Sequence, residues 1–436
     1  MTVELISVGT EILLGNIVNT NANYLSVKCA ELGFSLYYQI AVGDNEARLS
    51  EAVRTALDRS DIIILTGGLG PTQDDLTKET VAGVLGRQLI MDEPSRERIL
   101  DYFNRLQVYK TNSDQNKAAS GLAKITENNW KQALTIENSI VVENNNGTAP
   151  GYIVEEGPKR ILLLPGPPSE MIPMFDSAMF PYLRRLQNKV FESKMVKICG
   201  IGESRAETMI LDLIEGQDNP TIAPYAKNGE VHFRVTASAD SKEKALTMMQ
   251  PLLNELYHRF GENIYTLEED EALEEVLVKL LIRNGLTMAT AESCTGGLLS
   301  GRIVNVPGAS EVLKEGFITY SNEAKQKYLG VNSSTLEQFG AVSEQTAAEM
   351  ADGAIRASGC DVAVAVTGIA GPDGGTPMKP VGLVYISCRV KDKLVVREYR
   401  MRGNRQKIRE QSVIYAMDLI RRSVLEQYPE EKHYFD

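Results

Sequence analysis

Short apolar runs followed by helical patterns recur in the first 170 residues. The segment VELISVG leads into NTNANYLSVKCAELG, where the apolar spacing and the closing Gly33 predict a strand, a loop and a helix. Residues 62–65 form a continuous apolar run of the kind that buried parallel strands show, followed by glycines and another helical pattern. Strands that alternate with helices predict a doubly wound α/β domain over residues 1–170, with functional loops beyond the carboxyl ends of its strands.

The pattern changes twice further along the chain. Residues 171–265 contain a strand pattern at KMVKICGIG, a hairpin pattern at TIAPYAKNGEVHFRVTAS and two helical patterns, which predict a small α+β domain. Residues 266–436 begin with the amphipathic pattern EALEEVLVKLLIRNG, ended by Gly285, and continue with apolar runs that predict strands. The sequence therefore predicts the α/β class, with a doubly wound domain, a small α+β domain and a second α/β domain.

Composition excludes several classes of protein. With 436 residues, about three domains of ~150 residues are expected. The net charge of −12 repels nucleic-acid backbones, so no nucleic-acid partner is expected without a local basic patch. No apolar run approaches the roughly 20 residues that span a bilayer, and Glu4 and Glu11 stand where a signal peptide carries cations. We therefore expect a cytoplasmic protein that has no membrane contact.

The motif AESCTGG in the last domain carries two candidate nucleophiles. Ser293 and Cys294 follow a strand pattern and precede a helical one, and the turn between the two elements contains Gly296 and Gly297. Backbone amides at a helix start can stabilise the oxyanion of an acyl-transfer intermediate. Ser293 is therefore either a nucleophile or only the cap of the helix, which is a common role of serine. Cys294 is the rival nucleophile, because a thiolate at a helix N-terminus has a lowered pKa.

A serine nucleophile needs a base, and the histidines do not provide one. Of the three histidines, His232 and His258 lie outside the last domain and His433 lies near its end. A lysine whose pKa is lowered by burial can serve instead, in a Ser–Lys arrangement. Lys325 and Lys327 are both candidates, and their spacing does not choose between them.

Two further segments of the last domain could bind a phosphate. The segment VTGIAGPDGGTP places Thr367 and several glycines directly after an apolar run, which suits either a phosphate-binding loop or an ordinary turn. The segment YRMRGNRQKIREQ contains four arginines, one of which could bind a phosphate through two hydrogen bonds. The alternative for this segment is a solvated basic helix start.

The last domain resembles a known family through four motifs, AESCTGG, GFITYSNEAKQKYLGV, AVTGIAGPDGGT and RGNRQKIRE. In this order they closely resemble the C-terminal domain of the CinA (competence/damage-inducible protein A) family. The resemblance implies a nicotinamide-nucleotide amidase, which hydrolyses nicotinamide mononucleotide to nicotinic acid mononucleotide and ammonia without a cofactor. It implies Ser293 as nucleophile, Lys325 as general base and Tyr320 as a supporting hydroxyl. The implied substrate-binding residues are Thr295, Gly296, Gly297, Thr367, Gly368 and Arg405.

The chain departs from the family pattern at one of these motifs. The family usually has Gly-Asp-Arg where this chain has Gly403, Asn404 and Arg405. The acid beside the arginine is therefore missing, and the orientation of Arg405 depends on what Asn404 does instead.

Glycine-rich turns and carboxylates follow the strand patterns of the first domain. In TGGLGPTQDD, three glycines precede Asp74 and Asp75 at a predicted helix start. Glycine amides can hold phosphate oxygens while an aspartate holds a bridging divalent metal. Glu170 in PGPPSEM and Thr148 in NNNGTAPG are further candidates. Taken singly, each motif is also typical of a turn or of an acid at a helix start.

These motifs, together with GTEILLG, resemble the N-terminal domain of the same family, which has a molybdopterin-binding-type fold. The resemblance implies an ADP-ribose pyrophosphatase that releases AMP and ribose 5-phosphate with magnesium, manganese or cobalt. The implied metal ligands are Asp74 and Asp75. The implied nucleotide- and phosphate-binding residues are Gly9, Thr10, Glu11, Gly67, Gly68, Gly70, Thr148, Gly166 and Glu170. The alternative, from another functional class, is a nucleotide- or pterin-binding interaction protein without turnover.

The middle domain is similar to the KH-type domain of this family, which would suggest RNA binding. KH domains clamp nucleic acid with a G-x-x-G loop. Here Gly200 and Gly202 stand too close together for that loop, and acidic residues follow. We therefore expect this domain to serve interdomain packing or dimerisation. The resemblance of the whole chain to the family favours a homodimer, and it implies small-molecule substrates.

Overall fold

The computed structural model describes residues 1–113 and 127–429 and divides the chain into two compact units. The two units are Met1–Phe191 with Ser238–Lys242, and Glu192–Ala237 with the chain from Glu243 onward. The first unit continues past the predicted domain boundary at residue 170, and the predicted middle and last domains share the second unit. Both units combine helices and strands, so the predicted α/β class is confirmed.

The first unit is built on a six-stranded sheet. The described part of this unit has eight strands, of which six form this sheet and two form a separate pair. They are β1 (Thr2–Val8), β2 (Ser35–Val42), β3 (Ile62–Thr66), β4 (Leu89–Met91), β5 (Leu134–Ile136), β6 (Ser139–Val142), β7 (Gly151–Glu156) and β8 (Lys159–Leu164). The strand order is β2-β1-β3-β8-β7-β6, and β4 pairs with β5. The first four strands of the sheet run parallel, whereas β7 and β6 are antiparallel to their neighbours.

Helices cover both faces of this sheet. They are α1 (Thr10–Leu13), α2 (Thr20–Glu31), α3 (Glu46–Arg59), α4 (Thr77–Leu85), α5 (Glu93–Ser113), α6 (Glu127–Trp130), α7 (Pro168–Met174) and α8 (Phe180–Arg184). Alternate residues of β3 belong to two hydrophobic cores, Ile62 and Ile64 to one and Ile63 and Leu65 to the other. Because both faces of β3 are buried, its sequence is continuously apolar rather than alternating.

The second unit contains a four-stranded and a five-stranded sheet. The remaining strands are β9 (Val190–Cys199), β10 (Thr221–Lys227), β11 (Glu230–Ala239), β12 (Ile264–Thr266), β13 (Met288–Glu292), β14 (Leu313–Ile318), β15 (Val362–Gly368), β16 (Leu383–Val390) and β17 (Lys393–Arg400). The four-stranded sheet has the order β10-β11-β9-β12, and the five-stranded sheet has the order β14-β13-β15-β16-β17.

Ten helices are described in the rest of the chain. They are α9 (Glu203–Thr208), α10 (Leu211–Glu215), α11 (Lys242–Phe260), α12 (Leu273–Arg283), α13 (Leu298–Val304), α14 (Ala309–Val312), α15 (Asn322–Leu329), α16 (Ser333–Phe339), α17 (Glu344–Ser358) and α18 (Arg405–Gln427). In the five-stranded sheet, β13 pairs in parallel with β14 and β15. The carboxyl ends of these three strands therefore meet at one edge, where the segments after each strand can form a common site.

All five cysteines are buried and free of disulfide bonds. Within the described part of the chain, no helix combines the length and the apolar character that crossing a membrane requires.

Candidate active sites

The candidate nucleophile lies at the edge where the three parallel strands of the second unit end. Ser293 directly follows β13, and its amide donates to Val366 O in β15 at 2.9 Å. Thr319 directly follows β14, and its amide donates to Glu292 O at 2.9 Å. Strand pairing thus fixes the main chain of Ser293 beside the segment after β14, from which α15 continues.

Lys325 in α15 contacts the serine directly. Its Nζ donates to Ser293 Oγ at 3.1 Å and to the main-chain oxygens of Thr319 and Tyr320 at 2.8 and 3.4 Å. Only 1% of the lysine is exposed, and burial lowers its pKa from the usual 10.5 to about 8. Lys327 is exposed instead, with its ammonium over a neighbouring aromatic ring. Of the two candidate lysines, Lys325 is the one that reaches the serine.

The start of α13 is held by Glu292 and not by Ser293. The buried Glu292 carboxylate accepts hydrogen bonds from the amides of Gly297 (2.9 Å), Leu299 (3.1 Å) and Ser300 (2.9 Å). The N-cap position is occupied by Gly297, which has no side chain to offer. The alternative role of Ser293 as the helix cap is therefore wrong, because the amides at the helix start are bound by the preceding carboxylate.

Two glycines shape the turn after Ser293. Gly296 and Gly297 have φ angles of +60° and +93°, a left-handed region that glycine adopts without strain. The amide of Gly296 donates back to Ser293 O at 3.1 Å. The amide of Thr295 has no hydrogen-bond partner among residues 1–113 and 127–429. Free amides beside a nucleophile are the donors that an oxyanion requires in acyl transfer.

Cys294 lacks the environment of a reactive thiolate. It is 5% exposed, and burial raises its pKa to about 11 although Arg409 and Lys325 act in the opposite direction. The expectation of a lowered pKa at the helix start is wrong here, because the side chain is buried and the Glu292 carboxylate binds the amides of that helix start. Arg409 in α18 instead supports the turn, donating to Cys294 O (3.0 Å) and Thr295 O (2.8 Å).

Tyr320 and Arg405 meet at the surface. Arg405 Nη2 donates to the Tyr320 hydroxyl at 3.1 Å, and Nη1 donates to Gly371 O at 2.8 Å. Both side chains are exposed. Asn404 caps α18 by accepting a hydrogen bond from the amide of Lys407 at 2.9 Å. Asparagine and aspartate are equally good helix caps, so the departure from the family motif keeps the local structure that precedes Arg405.

The other predicted substrate-binding residues of the second unit, Thr295, Thr367 and Gly368, are packed inside the fold or against a neighbouring strand. Thr367 is fully buried, and its hydroxyl donates to Ala341 O at 2.6 Å. A Cβ at Gly368 would lie 2.6 Å from the side chain of Val384 in the neighbouring strand, so this position is restricted to glycine by packing. Thr295 is also fully buried, and its hydroxyl has no partner in the described part of the chain. His433 lies outside the described residues.

A cavity of about 390 Å³ in the first unit collects most of the predicted N-terminal site. Its lining includes Gly9, Glu11, Gly67, Gly68, Gly70, Asp74, Asp75, Thr148, Gly166 and Glu170. Of the predicted residues, Thr10 is absent from the described lining, and its amide and hydroxyl donate to Asp44 Oδ2 at 2.9 and 2.7 Å. Asp44 and Gln132 line the cavity as well, although neither belongs to a motif that predicted the site.

The glycine-rich turn of this cavity requires glycine for close approach. Gly67 and Gly68 have φ angles of +97° and +67°. A Cβ on Gly67 would lie 2.2 Å from Val8 O, and one on Gly68 would lie 2.2 Å from the hydroxyl oxygen of Thr77. The Thr77 hydroxyl donates to Gly67 O at 2.8 Å, which ties the turn to α4. The main chain of this turn is thus exposed to the cavity without a side chain in front of it.

The two predicted metal ligands differ in their surroundings. Asp75 accepts hydrogen bonds from the amide of Thr72 at 2.9 Å and from its hydroxyl, whereas Asp74 is exposed. Lys131 fixes this turn by donating to Thr72 O at 3.0 Å and to Asp75 O.

Among the described residues, no three His, Cys, Asp or Glu side chains are grouped as a metal site. The adjacent carboxylates of this turn fit a magnesium-type ion, which usually takes one or two carboxylates and completes its shell with substrate phosphates and water.

Three family models match successive parts of the chain. Residues 4–185 match the "Probable molybdopterin binding domain", residues 193–266 match the damage-inducible protein CinA KH domain, and residues 270–424 match the CinA C-terminal domain. The resemblance inferred from the motifs is therefore confirmed, as are the molybdopterin-binding-like and KH-type folds.

Relatives match the chain over almost its full length. A CinA-like protein of Kosmotoga olearia is 51% identical and covers 98% of this chain and 99% of its own. A CinA-like protein of Dictyoglomus turgidum is 49% identical and covers 98% of this chain and all of its own. The crystal structure of a competence/damage-inducible protein of Agrobacterium tumefaciens is 43% identical over 35% of this chain and 96% of its own, with a TM-score of 0.34. The chain belongs to the CinA family of competence/damage-inducible proteins.

Proposed function

We propose that the C-terminal module is an amidase that hydrolyses nicotinamide mononucleotide to nicotinic acid mononucleotide and ammonia. The observation that carries this proposal is the 3.1 Å hydrogen bond between Lys325 Nζ and Ser293 Oγ. A buried lysine whose pKa is about 8 is neutral in about a fifth of the molecules near pH 7.4, far more than an ordinary lysine. It can therefore accept the serine proton, which a fully charged lysine cannot do.

The reaction begins when neutral Lys325 takes the proton of Ser293 and the Oγ attacks the carboxamide carbon. The free amide of Thr295 is the candidate donor to the resulting oxyanion. Lys325 then gives the proton to the amide nitrogen, the C–N bond breaks, and ammonia leaves behind an ester on Ser293. Water attacks this ester with the same lysine as base, the proton returns to the serine, and nicotinic acid mononucleotide is released.

Arg405 and Tyr320 are the proposed contacts for the polar part of the substrate. Arginine binds a phosphate through two parallel hydrogen bonds, and this arginine is exposed at the surface. Its two terminal nitrogens donate to the Tyr320 hydroxyl and to Gly371 O. A phosphate would replace these neutral partners by charge-assisted hydrogen bonds.

The first test is release of ammonia and nicotinic acid mononucleotide from nicotinamide mononucleotide by the intact chain. We expect turnover, and we expect Cys294→Ala to retain activity within about twofold, because a thiol with a pKa near 11 is almost entirely protonated at neutral pH. Product formation is followed by chromatography and by an ammonia assay. A Cys294→Ala protein that folds normally but has lost turnover would make the thiol the nucleophile.

For the N-terminal module we propose metal-dependent hydrolysis of ADP-ribose to AMP and ribose 5-phosphate. The observation that supports it is the cavity that joins glycine-rich turns with the carboxylates of Asp74 and Asp75. Backbone amides of such turns hold phosphate oxygens, and adjacent carboxylates bind a divalent cation. When bound, the cation would neutralise the charge of the diphosphate. Lys131 keeps the two carboxylates in place by binding the main chain of their turn.

We expect manganese- or cobalt-dependent release of AMP from ADP-ribose, and at least a tenfold loss when Asp74→Ala and Asp75→Ala are combined, because the metal loses its protein ligands. AMP is measured by chromatography, and ammonia release by the same preparation reports whether the variant is folded. Metal-independent release, or release that survives the double substitution, would contradict the assignment. A chain that binds nucleotide without releasing AMP would instead be the binding protein of the alternative hypothesis.

A further inference from the structure

Helix α18 contacts both the middle domain and the candidate active site of the second unit. Residues that are four apart form a ridge along one side of a helix. One such ridge of α18 contacts the middle domain through Glu410, Ile414, Asp418 and Arg422. Arg405 and Arg409, which are also four apart, lie roughly 100° further round the helix and contact the active-site segments instead.

The turn between β10 and β11 holds the first part of the ridge. Asn228 Nδ2 donates to Glu410 Oε2 at 3.0 Å, and Gln406 donates to the other oxygen of this carboxylate at 2.8 Å. The next residue of the turn, Gly229, has a φ angle of +82°, and a Cβ there would lie 3.1 Å from the Ile414 side chain. Both oxygens of Glu410 are thus bound, one within α18 and one by the middle domain.

The turn after β9 is fixed to the last part of the same ridge. Arg422 donates to Cys199 O at 3.1 Å and to Asp418 Oδ2 at 2.7 Å. Asp418 also accepts a hydrogen bond from Arg421, which is 2% exposed. A Cβ at Gly200 would lie 2.9 Å from Arg422 Nη2. The segment compared above with a nucleic-acid loop therefore packs closely against α18.

The arginines of α18 reach the nucleophile turn, residues 294–297. Arg409 directly precedes Glu410 and donates to Cys294 O at 3.0 Å and to Thr295 O at 2.8 Å. The free amide of Thr295 in this turn is the candidate oxyanion donor. A shift of α18 therefore moves this donor relative to Ser293, and a misplacement of about 1 Å can lower a rate roughly 100-fold.

We propose that the middle domain positions the nucleophile turn through α18, with Asn228 as the positioning residue and Arg409 as the residue through which it acts. This inference rests on the amidase proposed for the C-terminal module. The hydrogen bond of Asn228 fixes Glu410, and with it the helix turn that carries Arg409. Its loss affects kcat rather than KM, because the proposed substrate contact Arg405 has its own hydrogen bond to Tyr320.

The test compares ammonia release from nicotinamide mononucleotide by variants of the full chain. We expect Asn228→Ala to lower kcat about tenfold and to leave KM within about twofold. Asn228→Asp places a like charge beside Glu410 and should lose at least as much, whereas Asn228→Asp combined with Glu410→Gln exchanges donor and acceptor and should restore kcat. In an Arg409→Met chain, Asn228→Ala should cost nothing further. Asn254→Ala removes an exposed, hydrogen-bonded asparagine of α11 and is the matched control.

Amide hydrogen exchange of residues 293–300 gives a readout that needs no turnover. Exchange there should be faster in Asn228→Ala and return to the original rate in the chain with exchanged donor and acceptor, while Leu383–Val390 of β16 keeps its rate.

The two measurements separate this inference from the proposed amidase. An unchanged kcat or unchanged exchange in Asn228→Ala, faster exchange in β16 as well, or multiplying losses with Arg409→Met would overturn the coupling and leave an active amidase intact. Faster exchange confined to the nucleophile turn, in a chain that releases no ammonia, would support the coupling and refute the amidase. Unchanged exchange in such an inactive chain would refute both.

Discussion

We expect Ser293→Ala and Lys325→Met each to lower kcat/KM for ammonia release by roughly 10⁴-fold or more, and the double variant to be no slower than the slower single variant. The reason is that nucleophile and base act as one unit, since a serine without its base and a base without its serine are equally unable to form the ester. The 3.1 Å contact between the two side chains is the structural basis of this dependence. Ammonia release is measured for both single variants and the double variant at the same pH.

Lys327→Met is the matched control for the lysine. It removes the same charge two residues further along α15, at an exposed position that does not reach the serine. It should retain the activity of the unmodified chain. Independent, multiplying losses in the double variant would contradict a Ser–Lys pair, and an equal loss in Lys327→Met would show that the charge of α15 matters rather than the position of Lys325.

The pH profile identifies the group that must lose its proton. If the neutral form of Lys325 is the base, as proposed, kcat/KM rises with pH and levels off above an apparent pKa near 8. A rise centred near 11 would instead match the Cys294 thiol. The midpoint of the rise in kcat/KM therefore distinguishes the two groups, because the midpoints expected for Lys325 and Cys294 lie about three pH units apart.

The sequence predicted the location of the proposed Ser–Lys pair better than the contact between its two side chains. The motif AESCTGG predicted a turn between a strand and a helix, and Ser293 lies there. The choice between Lys325 and Lys327 could not be made from spacing, because residues two apart on a helix face nearly opposite sides and only packing decides which is buried. Lys325 is buried in the folded chain, where α15 packs against α17, and this packing is a tertiary property.

Residues that hold the site turns in place through main-chain hydrogen bonds were harder to predict than the candidate site residues themselves. Glu292 belongs to the quoted motif, and an acid just before a helix start was the available signal for its contact with the helix amides. Lys131 and Gln132 gave no such signal, because they reach the glycine-rich turn from a segment about 60 residues away in the sequence. The antiparallel strands β6 and β7 were not predicted either. The prediction relied on strands that alternate with helices, whereas β6 and β7 are joined by the segment NNNGTAP without a helix.

Burial of the proposed base also has a cost in stability that depends on pH. In the folded chain the pKa of Lys325 is about 8, against the usual 10.5 that the unfolded chain restores. Between these two values the unfolded state holds a proton that the folded state has released, so the free energy of unfolding rises with pH. The difference of about 2.5 pKa units corresponds to about 3 kcal/mol.

Lys325→Met removes this proton linkage while it keeps a long side chain in the same space. We therefore expect the free energy of unfolding of the unmodified chain, minus that of the variant, to increase by about 3 kcal/mol from pH 7 to pH 11. Urea unfolding of both proteins at matched pH measures the difference, in which the contributions of the other titrating groups cancel. Lys327→Met should show no such slope, because its side chain is exposed. A flat difference for Lys325→Met would mean that Lys325 is an ordinary charged lysine, and the Ser–Lys mechanism would lose its base.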